Sequence, residues 1–181
     1  MTTSADILEF WFSPASKRLW FAKSPEFDDD IRTRFLGIHE RAATGTLAEW
    51  EANADSALAL VILLDQFPRN MFRGTARAFA TDGAARDIAV RAIGRGLDRA
   101  VAAERRTFFF LPLEHSESLD DQKRCVELFR AAGPAGQGLD YALRHLRIIE
   151  RFGRFPHRNA ILGRVSTPDE IAFLAEPGSS F

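Results

Sequence analysis

The stretch Ala57-Leu58-Ala59-Leu60-Val61-Ile62-Leu63-Leu64 offers no polar side chain to any face of a helix, and it runs directly into Asp65. It is far short of the roughly 20 apolar residues that span a bilayer. A helix without a solvent face then belongs at the centre of a bundle. A second such stretch, Phe108-Phe109-Phe110-Leu111, leads into Pro112 and the polar tail Glu114-His115-Ser116-Glu117. Two helices with all-apolar stretches need a coat of amphipathic ones, and 181 residues suffice to supply it in one domain.

The coat is legible as helix punctuation. Ser4 is expected to cap a first helix carrying Ile7, Leu8, Phe10 and Trp11. Ser24-Pro25 opens a helix through about Arg41, and Thr167-Pro168-Asp169-Glu170 combines an N-cap, a first-turn proline and a capping-box glutamate. Between them lie helical segments over about 47–67, 82–97, 102–115, 119–131 and 138–152. Pro112 is expected to kink or end its helix. The loosest connection is Gly133-Pro134-Ala135-Gly136-Gln137-Gly138. Strand alternation is nearly absent. The expected fold is all-α, a single domain over residues 1–181 with seven to eight antiparallel helices.

Each apolar helix releases polar residues at its end. Asp65 emerges into Gln66-Phe67-Pro68-Arg69-Asn70, and a carboxylate leaving a core needs a partner, for which Arg69 or a later arginine is suited. Glu114, His115 and Glu117 suit acid–base work with His115 as the base, or a hydrogen-bonded structural cluster. The string matches no metal motif, and no metal or cofactor is expected. Around Glu150-Arg151-Phe152-Gly153-Arg154-Phe155-Pro156-His157-Arg158-Asn159 a helical wheel puts Arg144, Arg147 and Arg151 on one arc and Tyr141, His145, Ile148 and Ile149 on the core side. Gly153 reads as a helix C-cap, so residues 154–159 form a turn whose Arg154, His157 and Arg158 are able to cradle an anion. The Phe-Pro-basic-Asn echo between Phe67 and Phe155 reads as a recurring helix-end turn.

These motifs, together with Phe10-Trp11-Phe12, occur in an order that resembles a bacterial family of domains of unknown function, number nine-two-four. The resemblance implies an all-helical fold related to tetratricopeptide-like repeats, and it brings no activity, cofactor or catalytic residue with it. No clean 34-residue repeat is visible in the chain itself.

A net charge of −1 gives no general attraction to nucleic acid or to an anionic membrane. The single Cys125 precludes an internal disulfide, and no signal-peptide pattern opens the chain, so a cytoplasmic protein is expected; its oligomeric state stays open. Three functions compete. The first is binding of an anionic small molecule or acidic peptide by Asp65, Arg69, Asn70, Arg151, Arg154, His157 and Arg158. The second is a cofactor-independent hydrolase or lyase using His115 with Glu114 or Glu117 as its orienting carboxylate. The third is a helical scaffold with Trp11, Trp20, Phe21 and Trp50 lining a groove for a partner.

Overall fold

The computed structural model describes residues 2–133 and 138–179, and among them every regular element is helical. The α-helices are α1 (Ser4–Trp11), α2 (Pro14–Lys17), α3 (Pro25–Ala43), α4 (Ala54–Met71), α5 (Asp82–Gly94), α6 (Ala103–Glu114), α7 (Leu119–Ala132), α8 (Gly138–Phe152) and α9 (Pro168–Leu174). Short 3₁₀ turns at Ala48–Ala52, Ala76–Phe79, Leu97–Arg99 and Pro156–Arg158 join them. The loose connection expected over 134–137 lies outside the described residues.

The apolar run takes the central position. Helix α4 packs against α1, α3, α5 and α6, while α7 and α8 extend the bundle from α6. Every residue from Ser56 to Pro68 is buried. Around it Trp11, Phe35, Phe67 and Phe109 are fully enclosed, and Phe10, Trp11 and Phe35 pack on the Phe67 ring at centroid distances of 6.1, 5.5 and 4.9 Å. Each such ring contributes about 2–3 kcal/mol by leaving water.

Several boundaries differ from the sequence reading, each for a local reason. Thr3, not Ser4, caps α1, because Asp6 reaches back to the Thr3 backbone and closes a capping box. The segment expected over 47–67 divides at Asn53, whose side chain accepts from Ser56 N and starts α4 afresh. Neither proline ends its helix. Pro68 has no N–H for the Leu64 carbonyl, and the Thr81 hydroxyl donates to that oxygen instead at 2.6 Å. Helix α6 runs two residues past Pro112 before His115 caps it. The Phe-Pro echo is therefore two structures, helix interior at Pro68 and a 3₁₀ turn at Pro156.

Tyr141 is 45% exposed rather than in the core, with Arg144 lying over its ring. Trp11 and Trp20 stack on each other at 5.8 Å and pack on Phe108; among the four aromatic residues nominated for a groove Trp11 is buried, Trp20 and Trp50 are half-buried and Phe21 is exposed.

Candidate functional site

The C-terminal turns of α4 carry Asp65 and Arg69 on one face, four residues apart. Asp65 is completely buried, and three groups compensate its charge. Gln66 Nε2 donates to Oδ2 at 2.6 Å, Arg69 Nη1 approaches Oδ1 at 3.3 Å, and His115 Nδ1 lies 2.8 Å from Oδ1. Burial alone pushes this carboxyl up, but the charges of His115 and Arg69 and the hydrogen bonds from His115 and Gln66 outweigh it and hold Asp65 well below the usual range. Asp65 is thus ionised. Burial, with the Arg69 charge beside it, lowers the His115 pKa. A neutral His115 donates its Nδ1–H to Asp65, which assigns the lone pair to Nε2.

Arg69 reaches beyond α4 to Asp82, the first residue of α5, with paired bonds of 2.9 and 3.0 Å. Burial opposes its charge, and Asp65 and Asp82 together more than restore it. Arg158 then approaches the far oxygen of Asp82 at 3.5 Å. Its guanidinium stacks on Phe79 at 4.7 Å and on Phe155 at 4.6 Å, and its Nε–H has no hydrogen-bond partner among the described residues. Burial, followed by the Arg69 charge, pulls the Arg158 pKa down to about 10.

The turn that presents Arg158 is held by Glu117. Its carboxylate accepts the Phe155 N–H at 2.8 Å and paired bonds from Arg164 at 2.7 and 3.0 Å, while Arg164 also donates to the Phe155 carbonyl. Glu117 is held below its ordinary value: burial raises it, and the Arg164 and Phe155 donors outweigh that. His157 packs beside Phe155 with ring centroids 5.7 Å apart, and burial reinforced by Arg158 lowers its pKa to about 4.

Glu114 ends α6 with 4% of its surface exposed. Its Oε1 is 3.7 Å from His145 Nδ1, and its Oε2 meets no hydrogen-bond partner among the described residues. Burial, then the Asp65 charge, raises its pKa to about 8, so it is a neutral acid at pH 7. His145 directs Nδ1–H to the Tyr141 carbonyl at 2.8 Å, and burial lowers its pKa to about 3. Its ring sits edge-on to Phe155 at 5.5 Å and 6.5 Å from the His115 ring.

Residues 7–178 match the family described as "Bacterial protein of unknown function (DUF924)". The chain belongs to this family. It is similar to a solved structure, the protein of unknown function ATU0120 from Agrobacterium tumefaciens, with 48% identity over 95% of this chain and 96% of that one and a TM-score of 0.90. No curated protein matches it.

In this DUF924 member one polar cluster gathers the buried Asp65, Glu114 and Arg158 with the half-buried Arg69, His115, Glu117 and His157. Three other nominated residues are engaged elsewhere. Asn70 donates to Asp28, which Arg73 also grips, tying α4 to α3. Arg151 is exposed over Phe152, and Arg154 forms paired bonds with Glu170 in the α9 capping box. The carboxylate that orients His115 is Asp65, not Glu114 or Glu117, because α6 stops at Glu114 and the chain then turns Glu117 toward Phe155.

Asp82, His145 and Arg164 complete the cluster without having been nominated as site residues. Asp82 and Arg164 carry no local signal, since an acid opening a helix and an arginine in a loop are ordinary. His145 lies on the core side as its spacing indicates, and that side happens to face the polar cluster. Cys125 is buried and its thiol is pushed far up by burial, leaving it inert. Among the described residues no three His, Cys, Asp or Glu side chains form a group able to hold a metal ion. A separate groove of about 260 Å³, lined by Leu47, Leu60, Leu64 and Ile88 with Glu51 and Arg91, lies between the end of α3, α4 and α5.

Proposed function

We propose that the chain binds a small anionic molecule at this cluster and that Arg158 meets the anion. One observation carries the reading. Arg158 is a buried guanidinium with an unsatisfied Nε–H, and its carboxylate neighbour Asp82 is 3.5 Å away and already bound by Arg69 in paired fashion. An incompletely compensated buried cation is costly, and an anion supplies the missing acceptor. Phe79 and Phe155 hold the guanidinium plane while the ligand comes and goes.

The test is thermal denaturation with inorganic phosphate, acetate or a short glutamate-rich peptide. The small anions raise the melting temperature of the wild type, Arg158→Gln loses that rise while keeping its helical circular dichroism, and Arg154→Gln retains it. An effect confined to the peptide would move the proposal to acidic segments of a protein partner. No rise with any of them would refute it.

A second reading, a cofactor-independent hydrolase or lyase, is favoured by the 2.8 Å contact between Asp65 and His115. In it His115 accepts a proton at Nε2, with Asp65 holding the tautomer, and Arg158 stabilises negative charge. A cytoplasmic location and a distant tetratricopeptide-like ancestry belong to the same proposal; each of α3 to α7 packs on the next helix, as stacked helical hairpins do.

A further inference from the structure

Glu114 is unexplained by anion binding through Arg158 alone. A carboxyl buried at the end of a helix ordinarily meets an arginine, a lysine or backbone donors. Here the titratable groups facing it are Asp65 from α4, Cys125 from α7 and His145 from α8, with its own neighbour His115. None supplies a cation, and the Nδ1–H of His145 is directed to the Tyr141 carbonyl. Gln122 donates to the Glu114 backbone oxygen at 2.6 Å, not to the side chain. Oε2 therefore stands buried with an acid proton to give or a lone pair to fill, in the same cluster as the unsatisfied Nε–H of Arg158.

The two unsatisfied groups are linked by a short path. The Arg158 guanidinium lies 4.6 Å from the Phe155 centroid, the His145 ring is 5.5 Å from Phe155, and Glu114 Oε1 is 3.7 Å from His145 Nδ1. The rings of Phe155 and His145 stand between the two groups, so a molecule that meets both has to reach past these rings and is larger than one functional group. A second anionic group is disfavoured at the Glu114 end, since Asp65 already places a negative charge there. A neutral acceptor such as an amide, ester or ketone oxygen is suited, because it takes the O–H of Glu114 without adding charge.

We propose that Glu114 is a ligand-contacting residue that donates a hydrogen bond, so that the molecule taken by this site is a short organic acid with a neutral carbonyl several bonds from its carboxylate. The inference rests on the anion reading above, and the two can fail separately. Its chemistry matches that burial and the Asp65 charge keep Glu114 protonated up to about pH 8.

Calorimetric titration with two probes of equal length tests it. Succinamate carries a carboxylate and an amide carbonyl, and pentanoate carries the carboxylate alone. At about pH 6.5 the wild type binds succinamate roughly tenfold more tightly, the worth of one well-placed hydrogen bond. At about pH 9.5, where Glu114 is ionised, the preference disappears. Glu114→Gln keeps a neutral donor and therefore keeps the preference at both pH values, and Arg158→Gln abolishes binding of both probes. Equal affinities at the lower pH, with binding still dependent on Arg158, overturn the role of Glu114 and leave the anion site intact. A preference that fades with pH in Glu114→Gln as well assigns the titration to another group and also overturns it. Failure of the wild type to bind either probe removes both readings.

Discussion

His115 Nδ1 lies 2.8 Å from Oδ1 of Asp65, a residue fifty positions earlier in the chain, and the contact joins the ends of the two all-apolar stretches, Ala57–Leu64 in α4 and Phe108–Leu111 in α6. Apolar helices packed side by side must bring their polar exits to neighbouring places. Asp65 closes the apolar run of α4 beside the place where His115 caps α6, and the two side chains pair there. The polar cluster is in this sense a consequence of the core, built where two runs that cannot face water come to an end.

Replacing Asp65 by Asn removes the charge that pairs with Arg69 and that accepts the Nδ1–H of His115. Breaking a buried ion pair on one side costs about 3 kcal/mol, because the remaining cation stays desolvated. Urea denaturation at pH 7 should show a loss of that order. The Asp65 pKa is lower in the folded chain than in the unfolded one, so its contribution is complete above the ordinary value of 3.8 and is lost as pH falls below it. The stability difference between wild type and Asp65→Asn should therefore narrow in acid.

Glu114 acts with the opposite sign. From its ordinary value of 4.5 up to about 8 the unfolded chain has released this proton and the folded chain keeps it, so stability falls as pH rises. The four histidines, all with lowered pKa values in the folded chain, act oppositely, since the unfolded chain still releases their protons just above about pH 6.5. The Glu114 contribution is therefore read as a difference: between about pH 6.5 and 8 the wild type should lose about 1.5–2 kcal/mol relative to Glu114→Gln, whose own stability rises. A wild type and a Glu114→Gln variant with parallel profiles over this interval would show Glu114 to be ionised at pH 7.

Thr81 answers the vacancy made by Pro68. Its hydroxyl donates to the Leu64 carbonyl, which has no amide four residues on. Thr81→Val keeps the shape and strands that oxygen, at an expected cost of about 1–2 kcal/mol in chemical denaturation. Thr81→Ser should recover most of it.

What the sequence revealed and what it hid differ in kind. The all-helical class, the buried character of Ala57–Leu64, the Gly153 cap with its positive φ of 68° and the capping box at Thr167 were legible because each depends on residues within a few positions. The proline outcomes were not, since a carbonyl orphaned in α4 is rescued by a hydroxyl seventeen residues away. The site divides likewise. Residues that end apolar helices could be nominated from pattern, while Asp82 and Arg164 belong to the cluster only through where α5 and the loop before α9 are packed. Arg154 shows the reverse limit, for local richness in arginine did not distinguish a cradle from a clamp on Glu170.

That clamp gives the last prediction. Arg154 Nε and Nη2 bind the two Glu170 oxygens at 2.6 and 2.8 Å, and Nη2 also donates to the Val165 carbonyl. Glu170 in turn accepts from Thr167 N, so one guanidinium secures both the loop before α9 and the first turn of that helix. Charge reversal, Arg154→Glu, places two carboxylates against each other and frees α9. Amide hydrogen exchange should lose protection over Thr167–Leu174 while α4 and α6 stay protected, because local opening of a terminal element does not require the core to unfold. If binding of phosphate survives in this variant with unchanged affinity, the anion site is independent of Arg154 and lies with Arg158. Loss of binding together with intact protection of α9 would instead return Arg154 to the ligand.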